Sequence, residues 1–184
     1  MSQNPPEEER FKTNVLDLTE LIRELAATCW DAGVKDVNPS LVKIAGGFLS
    51  GYDGNDLVDV FIKYSHMHWH KIKDRKENFF MENANDIFKQ LPIDTNNINA
   101  FKMFFTAKNQ NGSFIIIPED REAIWEIFDS LVKICIKYIH RVRGITYVPT
   151  DDGLVPKYKK KLYPYVDISK LAKEWNVKLE YPGQ

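Results

Sequence analysis

The amino-acid sequence predicts a mainly α-helical single domain, a bundle of about six helices followed by an extended, proline-containing C-terminal arm. Of its 184 residues, 43% are hydrophobic and 28% are charged, as in a globular domain with one core. Apolar residues recur at three- and four-residue spacing before residue 144, as they do on the buried face of a helix. Pro149, Pro156 and Pro164 then interrupt this pattern, because proline cannot continue a helix.

The N-terminal residues divide into a tail and a first helix. Residues 1–9 hold two prolines and three consecutive glutamates, which can bury little surface, so we expect a disordered acidic tail. The helical domain is expected over residues 10–144. Its first helix is predicted from about Thr13 to Ala32, and Gly33 is a natural C-terminal stop.

Asn38 and Pro39 predict the start of a second helix, because asparagine accepts a free backbone N–H and proline fits the first helical position. Gly46 and Gly47 indicate either a kink or the close approach of another segment. The apolar spacing gives this helix a predicted buried side of Leu41, Ile44, Ala45, Phe48 and Leu49.

The same spacing predicts three further helices, at about residues 55–73, 79–88 and 97–107. Residues 109–117 contain an Asn-Gly turn signal beside four apolar residues, which favours a turn and one short strand or extended segment. The longest helix is expected over residues 118–143, with a proline and acidic residues at its start. We predict that it is the central helix of the core.

Residues 145–184 are expected to form the extended arm, with one short helix near its end. Tyrosine and tryptophan often anchor protein interfaces, so Tyr163, Tyr165 and Trp175 are candidate anchors for a protein partner. The alternative is that these rings pack the arm onto its own domain.

Basic residues concentrate in the C-terminal third, although the net charge of the chain is −1. Cations arranged as a helical stripe and a lysine run can neutralise phosphates. The alternative is a solvated surface with cations that favour a helix C-terminus. The candidate contacts to nucleic acid or a protein partner are Lys133, Lys137, Arg141, Arg143, Lys157, Lys159, Lys160 and Lys161.

His66 and His70 stand four residues apart in a predicted helix, a spacing that can share a zinc ion, and Asp74 continues the same face. The glutamate that serves metalloproteases as a general base is absent after the first histidine. A third ligand would have to come from a distant segment, where the candidates are Cys29, Cys135 and His140. The ordinary interpretation is a pair of surface histidines, so we predict no metal and no cofactor.

Phosphate-binding, dinucleotide-binding and nucleophile-elbow motifs are absent from the sequence, so we predict no catalytic residues and no enzyme. The first residues lack the basic start and apolar run of a secretory signal. No stretch has the apolar length of a membrane span. The two cysteines lie in apolar helical patterns, as buried free thiols do. We therefore expect an intracellular protein that does not bind membranes.

Two stretches carry a resemblance. Residues 61–88 (FIKYSHMHWHKIKDRKENFFMENANDIF) and 118–140 (PEDREAIWEIFDSLVKICIKYIH) resemble small uncharacterised helical proteins of nucleocytoplasmic large DNA viruses in their texture of aromatic and charged residues. The resemblance covers roughly a third to a half of the chain. It implies the cytoplasm, a viral assembly site or the virion as the location, and a structural or interaction role. It carries over no site residues.

The sequence thus predicts a non-enzymatic interaction or structural protein that binds a protein partner, such as a virion component or a host-directed adaptor. The first alternative is a nucleic-acid-associated protein that uses the basic stripe and the lysine run. The second is a metal-dependent enzyme at His66 and His70. The oligomeric state stays open.

Overall fold

The computed structural model describes residues 4–89, 95–143, 145–158 and 163–180. Within these ranges the chain is mainly helical, as predicted, with a 3₁₀ turn at His66–His68 and one antiparallel hairpin of β1 (Ile145–Thr150) and β2 (Gly153–Tyr158). The helices are α1 (Glu7–Asp31), α2 (Pro39–Ser50), α3 (Gly54–Ser65), α4 (Trp69–Lys73), α5 (Glu77–Phe88), α6 (Thr95–Thr106), α7 (Pro118–Arg143) and α8 (Ile168–Glu174).

The central helix is α7, because it contributes to both apolar clusters of the structure. Residues 131–139 of α7 pack with α1, α3, α4 and α8 in the larger cluster. Ile124, nearer its start, packs with Cys29 of α1 and Phe104 of α6 in the second cluster. The long helix therefore has the central position that its apolar spacing predicted.

The first turn of α1 corrects the prediction of a disordered tail. Glu7, Glu8 and Glu9 are helical, and carboxylates at this end favour the helix dipole. Arg141 of α7 pairs with Glu7 at 2.8 Å and also with Glu8. The prediction was wrong for these three residues because composition alone does not show a distant cation that pairs with them.

Gly54 lies where the start of α3 crosses the start of α1. Asp53 caps α3 by accepting a hydrogen bond from the backbone N–H of Asn55 at 2.8 Å. A Cβ atom on Gly54 would lie 2.5 Å from the carbonyl oxygen of Glu8, well inside the normal contact distance. The crossing of α1 and α3 therefore requires glycine at this position.

A similar contact joins α2 to α1. Asn38 caps α2, as predicted, by accepting from the N–H of Ser40 at 2.9 Å. A Cβ atom on Gly46 would lie 2.9 Å from Cγ2 of Thr19, so the missing side chain lets the two helices approach. The predicted burial of the apolar side of α2 is wrong, since the helix has no buried residue.

Two arginines connect the segment around α4 and α5 to α7. Arg75, in a left-handed conformation with φ of 53°, bonds Asp129 at 2.6 Å and Glu122 at 2.8 Å. Hydrogen bonds to these two carboxylates raise the pKa of Arg75. Arg121 pairs with Glu77 in the same region. Partly buried arginine–carboxylate networks of this kind fix the relative position of helices.

The segments around α7 also differ from the prediction in detail. The short strand expected at residues 109–117 is reduced to a bridge between Lys108 and Phe114. In the C-terminal arm, residues 145–158 form the hairpin, whereas Val166 and the apolar residues Ile168 and Ala172 of α8 belong to the larger apolar cluster. The described part of the arm after the hairpin therefore packs on the helical domain.

Both cysteines are buried free thiols, as predicted. Burial raises the pKa of the Cys29 thiol and of the Cys135 thiol, which keeps both protonated and unreactive. No helix in the described ranges has the length and apolar character needed to cross a membrane.

Replacing Gly54 with alanine should lower the free energy of unfolding by roughly 1–3 kcal/mol, because the new methyl group must displace the backbone of Glu8. The matched control is Gly47→Ala, where no described atom lies within 4 Å of the added carbon. Alanine should stabilise that helix interior by roughly 0.5–1 kcal/mol. Urea unfolding measures both changes, and equal stability of the two variants would contradict the close crossing of α1 and α3.

Candidate interaction surfaces

The apolar side of α2 points into solvent. The exposed fractions are 60% for Leu41, 55% for Ile44, 72% for Phe48 and 54% for Tyr52, which follows the helix. Together with exposed Ala45, these residues occupy positions i, i+3, i+4, i+7 and i+11. This spacing places Leu41, Ile44, Ala45 and Phe48 along one side of the helix, and Tyr52 follows just after its end. We refer to these five residues as the α2 face.

The apolar spacing identified this side of α2 correctly but assigned it to the core. Periodicity shows which residues share a side of a helix and does not show what covers that side. One sequence feature points to the actual arrangement. Gly46 provides a second, small side of α2, on which α1 packs.

The predicted basic stripe divides between two environments. Arg141 is paired with the glutamates in the first turn of α1. Arg143 is buried and donates hydrogen bonds to the carbonyl oxygens of Val166, at 2.7 Å, and Tyr163. Its prediction as a surface contact is wrong, because the chain folds back over the end of α7 and uses the guanidinium to hold the arm.

Lys133 and Lys137 remain accessible and line a groove of about 640 Å³ between α1, α7 and the residues after α8. Arg10 and Lys178 line the same groove, and the sequence patterns did not identify them because they come from distant segments. None of the four cations forms an ion pair with any residue that the structure describes. We refer to this site as the basic groove.

The predicted lysine run lies mostly beyond the described residues. The backbone of Lys157 pairs with Thr146 in the hairpin. Lys159, Lys160 and Lys161 fall outside the described ranges. A role of these four lysines in binding stays a prediction.

The three predicted aromatic anchors differ in their surroundings. Trp175 is buried in the larger apolar cluster, so it stabilises the fold and is not available to a partner. Tyr163 is half-buried, and its hydroxyl donates to the carboxylate of Asp59. Tyr165 is exposed, with its ring centre 4.4 Å from that of His66. Of the three, Tyr165 keeps the exposure that a partner contact needs.

The predicted histidine pair does not share one continuous helix. The 3₁₀ turn at His66–His68 separates α3 from α4, so the four-residue spacing of His66 and His70 spans a break. Nδ1 of His66 is 3.0 Å from the carbonyl oxygen of Ile62, where a ring N–H donates. Asp74 follows the end of α4 and does not continue a helical face.

The candidate third ligands are also separated from this pair. Cys29 and Cys135 are buried in different apolar clusters. Nε2 of His140 lies 2.9 Å from the carbonyl oxygen of Glu180. Among the residues with a described position, no three His, Cys, Asp or Glu side chains group together as a possible metal site.

Comparisons of the chain with models of protein families, with curated proteins and with solved structures gave no match. We therefore infer its function from the α2 face and the basic groove themselves.

His68 packs between aromatic rings, with ring centres 5.3 Å from Phe79 and 6.4 Å from Phe80. Burial lowers the pKa of His68, and the neighbouring His70 and Lys71 lower it further. The unfolded chain therefore takes up this proton more readily than the folded chain does. As the pH falls through about 6.5, the folded state loses stability for this reason.

Replacing His68 with leucine should reduce the loss of unfolding free energy between about pH 7.5 and about pH 5.5, because the substitution removes this group from the titration. Urea unfolding at the two pH values measures the difference. His70→Leu, which removes an exposed histidine and one of the charges that lower the pKa of His68, should reduce the loss by less than His68→Leu does. An unchanged pH dependence in His68→Leu would show that His68 titrates alike in both states.

Proposed function

We propose that this chain is a non-enzymatic protein-binding module and that the α2 face is its contact surface. The observation that carries the proposal is the exposure of three large apolar side chains, Leu41, Ile44 and Phe48, along one side of a helix. Single exposed apolar residues are common on protein surfaces. A contiguous apolar patch is typical of a site that binds another protein.

The geometry of α2 favours its insertion into an apolar groove of the partner. Helices that bind in this way present anchors at positions i, i+3, i+4 and i+7. Leu41, Ile44, Ala45 and Phe48 have this spacing. Since α2 contacts its own domain through the side that contains Gly46, the anchors are free to enter a partner without local unfolding.

The area of the α2 face favours such a partner over a second copy of the chain. Even if each side chain were as large as the largest aromatic residue, about 250 Å², the exposed fractions of Leu41, Ile44, Phe48 and Tyr52 would leave at most about 600 Å² on the α2 face. A specific interface needs about 800 Å² from each side. Two α2 faces alone would not reach this area, whereas a groove that encloses the helix also covers its flanks.

The charge of α2 defines the chemistry of the partner. Lys43 is its one charged residue, so the complementary groove should be apolar and uncharged at its centre, with few charged residues at its rim. A helix that lies on an anionic membrane carries several lysines or arginines on its polar side. The sequence of α2 therefore favours a protein partner over a membrane surface.

The C-terminal arm has a smaller part in this proposal than its aromatic residues suggested. Trp175 and Arg143 serve the fold, which leaves Tyr165 as an additional contact. The viral resemblance of the sequence supports a partner in the virion, at a viral assembly site or in the host cytoplasm. We accordingly propose a role as a virion component or a host-directed adaptor.

The two alternative functions have less support. Nucleic-acid association would use the accessible Lys133 and Lys137, together with lysines outside the described ranges. We do not propose a metal-dependent enzyme, because the 3₁₀ turn separates His66 from His70.

The α2 variant Leu41→Gln/Ile44→Gln/Phe48→Gln should bind the partner at least about 100-fold more weakly than the original chain, because central apolar anchors contribute most of the affinity of such interfaces. A photo-reactive residue at position 45 would first identify the partner in cells that contain the chain. Titration calorimetry with the purified partner then measures the affinity.

The matched control for this experiment is Met67→Gln/Met103→Gln/Ile117→Gln, which removes three other exposed apolar side chains. The proposal requires that this variant keep the affinity of the original chain. Equal weakening by both variants, or full affinity of the α2 variant, would contradict it. A concentration-dependent dimer that the α2 variant abolishes in light scattering would replace the external partner with a second copy.

A further inference from the structure

The basic groove gathers four cations from three parts of the chain. Arg10 belongs to α1, Lys133 and Lys137 belong to α7, and Lys178 follows α8. Among the described lining residues Glu9 is the one carboxylate. Like charges that converge on one concave site raise the local positive potential and repel one another. A bound anion relieves that repulsion.

The backbone of the fourth cation, Lys178, is positioned by the end of α8. Asn176 has a left-handed conformation with φ of 52°, and the N–H of Val177 donates to the carbonyl oxygen of Ala172 at 2.8 Å. This arrangement is a common way to end a helix and reverse the chain. Val177 then packs against the larger apolar cluster, so the backbone next to Lys178 is fixed.

Among the described residues, the unpaired positive charge of α7 is confined to this groove and does not continue along the helix. Arg141, one turn beyond Lys137, is paired with Glu7 and Glu8. In the ranges that the structure describes, Lys133 and Lys137 have no comparable partner. A compact anion therefore matches the charge distribution better than a long polyanion that follows the helix.

We propose that the basic groove binds a small ligand with two or more phosphate groups. Its volume of about 640 Å³ lies within the usual range for small-molecule sites, about 300–1,000 Å³. Arginine and lysine are the cations that bind phosphates, and Thr13, Asn14 and Ser130 add polar groups to the lining. The described lining offers no aromatic ring on which a nucleic-acid base could stack. No residue of α2 takes part, so this site is additional to the proposed protein interface.

Inorganic triphosphate is the first probe, titrated calorimetrically into the full chain at low salt. We expect one saturable site and at least about tenfold weaker binding to the variant Lys133→Gln/Lys137→Gln, because half of the convergent charge is lost. The same variant, without ligand, should melt at a higher temperature than the original chain at low salt, since the repulsion is reduced. This second readout also shows that the variant is folded.

The control Lys63→Gln/Lys102→Gln removes the same charge from α3 and α6, outside the groove lining, and should bind triphosphate normally. If a nucleoside triphosphate binds as tightly as triphosphate, the phosphate groups alone account for the affinity and the ligand is a free polyphosphate. If the nucleoside triphosphate binds clearly more tightly than triphosphate, the ligand is a nucleotide. Either result supports the site. Absence of triphosphate binding, or equal weakening in the control, would overturn the proposal.

Discussion

The burial of α7 is the constraint on which the rest of the structure depends. Its buried residues include Leu131 and Val132 and continue from Ile134 to Ile136, so they face several directions around the helix. A helix that is apolar on several sides cannot be covered by one neighbour. α1, α3, α4 and α8 all contribute side chains to the cluster around it. Each of these segments is therefore needed for the core, including the one near the C-terminus.

The C-terminal end of α7 also carries buried polar side chains that need hydrogen-bond partners. Arg143 and His140 are buried there, and buried polar groups are costly without hydrogen-bond partners. Carbonyl oxygens of Tyr163 and Val166 accept from Arg143, and that of Glu180 lies beside His140. The C-terminal segment thus serves the core of the domain with its backbone as well as its side chains. Of its described residues, Val166 and Trp175 are buried in the domain, whereas α2, which lies against α1, keeps its apolar side outside.

Local features of the sequence predicted the elements, and distant contacts decided their roles. Asn38 marked the start of α2 because a cap depends on neighbouring residues alone. The direction of the α2 face depends on how α1 meets Gly46; the glycine pair indicated either a kink or a close approach, but not which segment approaches. Glu7 resembled a disordered tail because its partner, Arg141, is 134 residues away in the sequence. The basic groove has the same origin, since Arg10 meets Lys133 only in the folded chain.

Equilibrium urea unfolding of the Leu41→Gln/Ile44→Gln/Phe48→Gln variant tests the central claim most directly, namely that the α2 face lies outside the core. Exposed side chains contribute little to folding, so the free energy of unfolding should stay within about 1 kcal/mol of that of the original chain. A loss of about 3 kcal/mol or more would mean that these residues are buried in the folded protein. That result would contradict the account, because a buried face cannot be a contact surface.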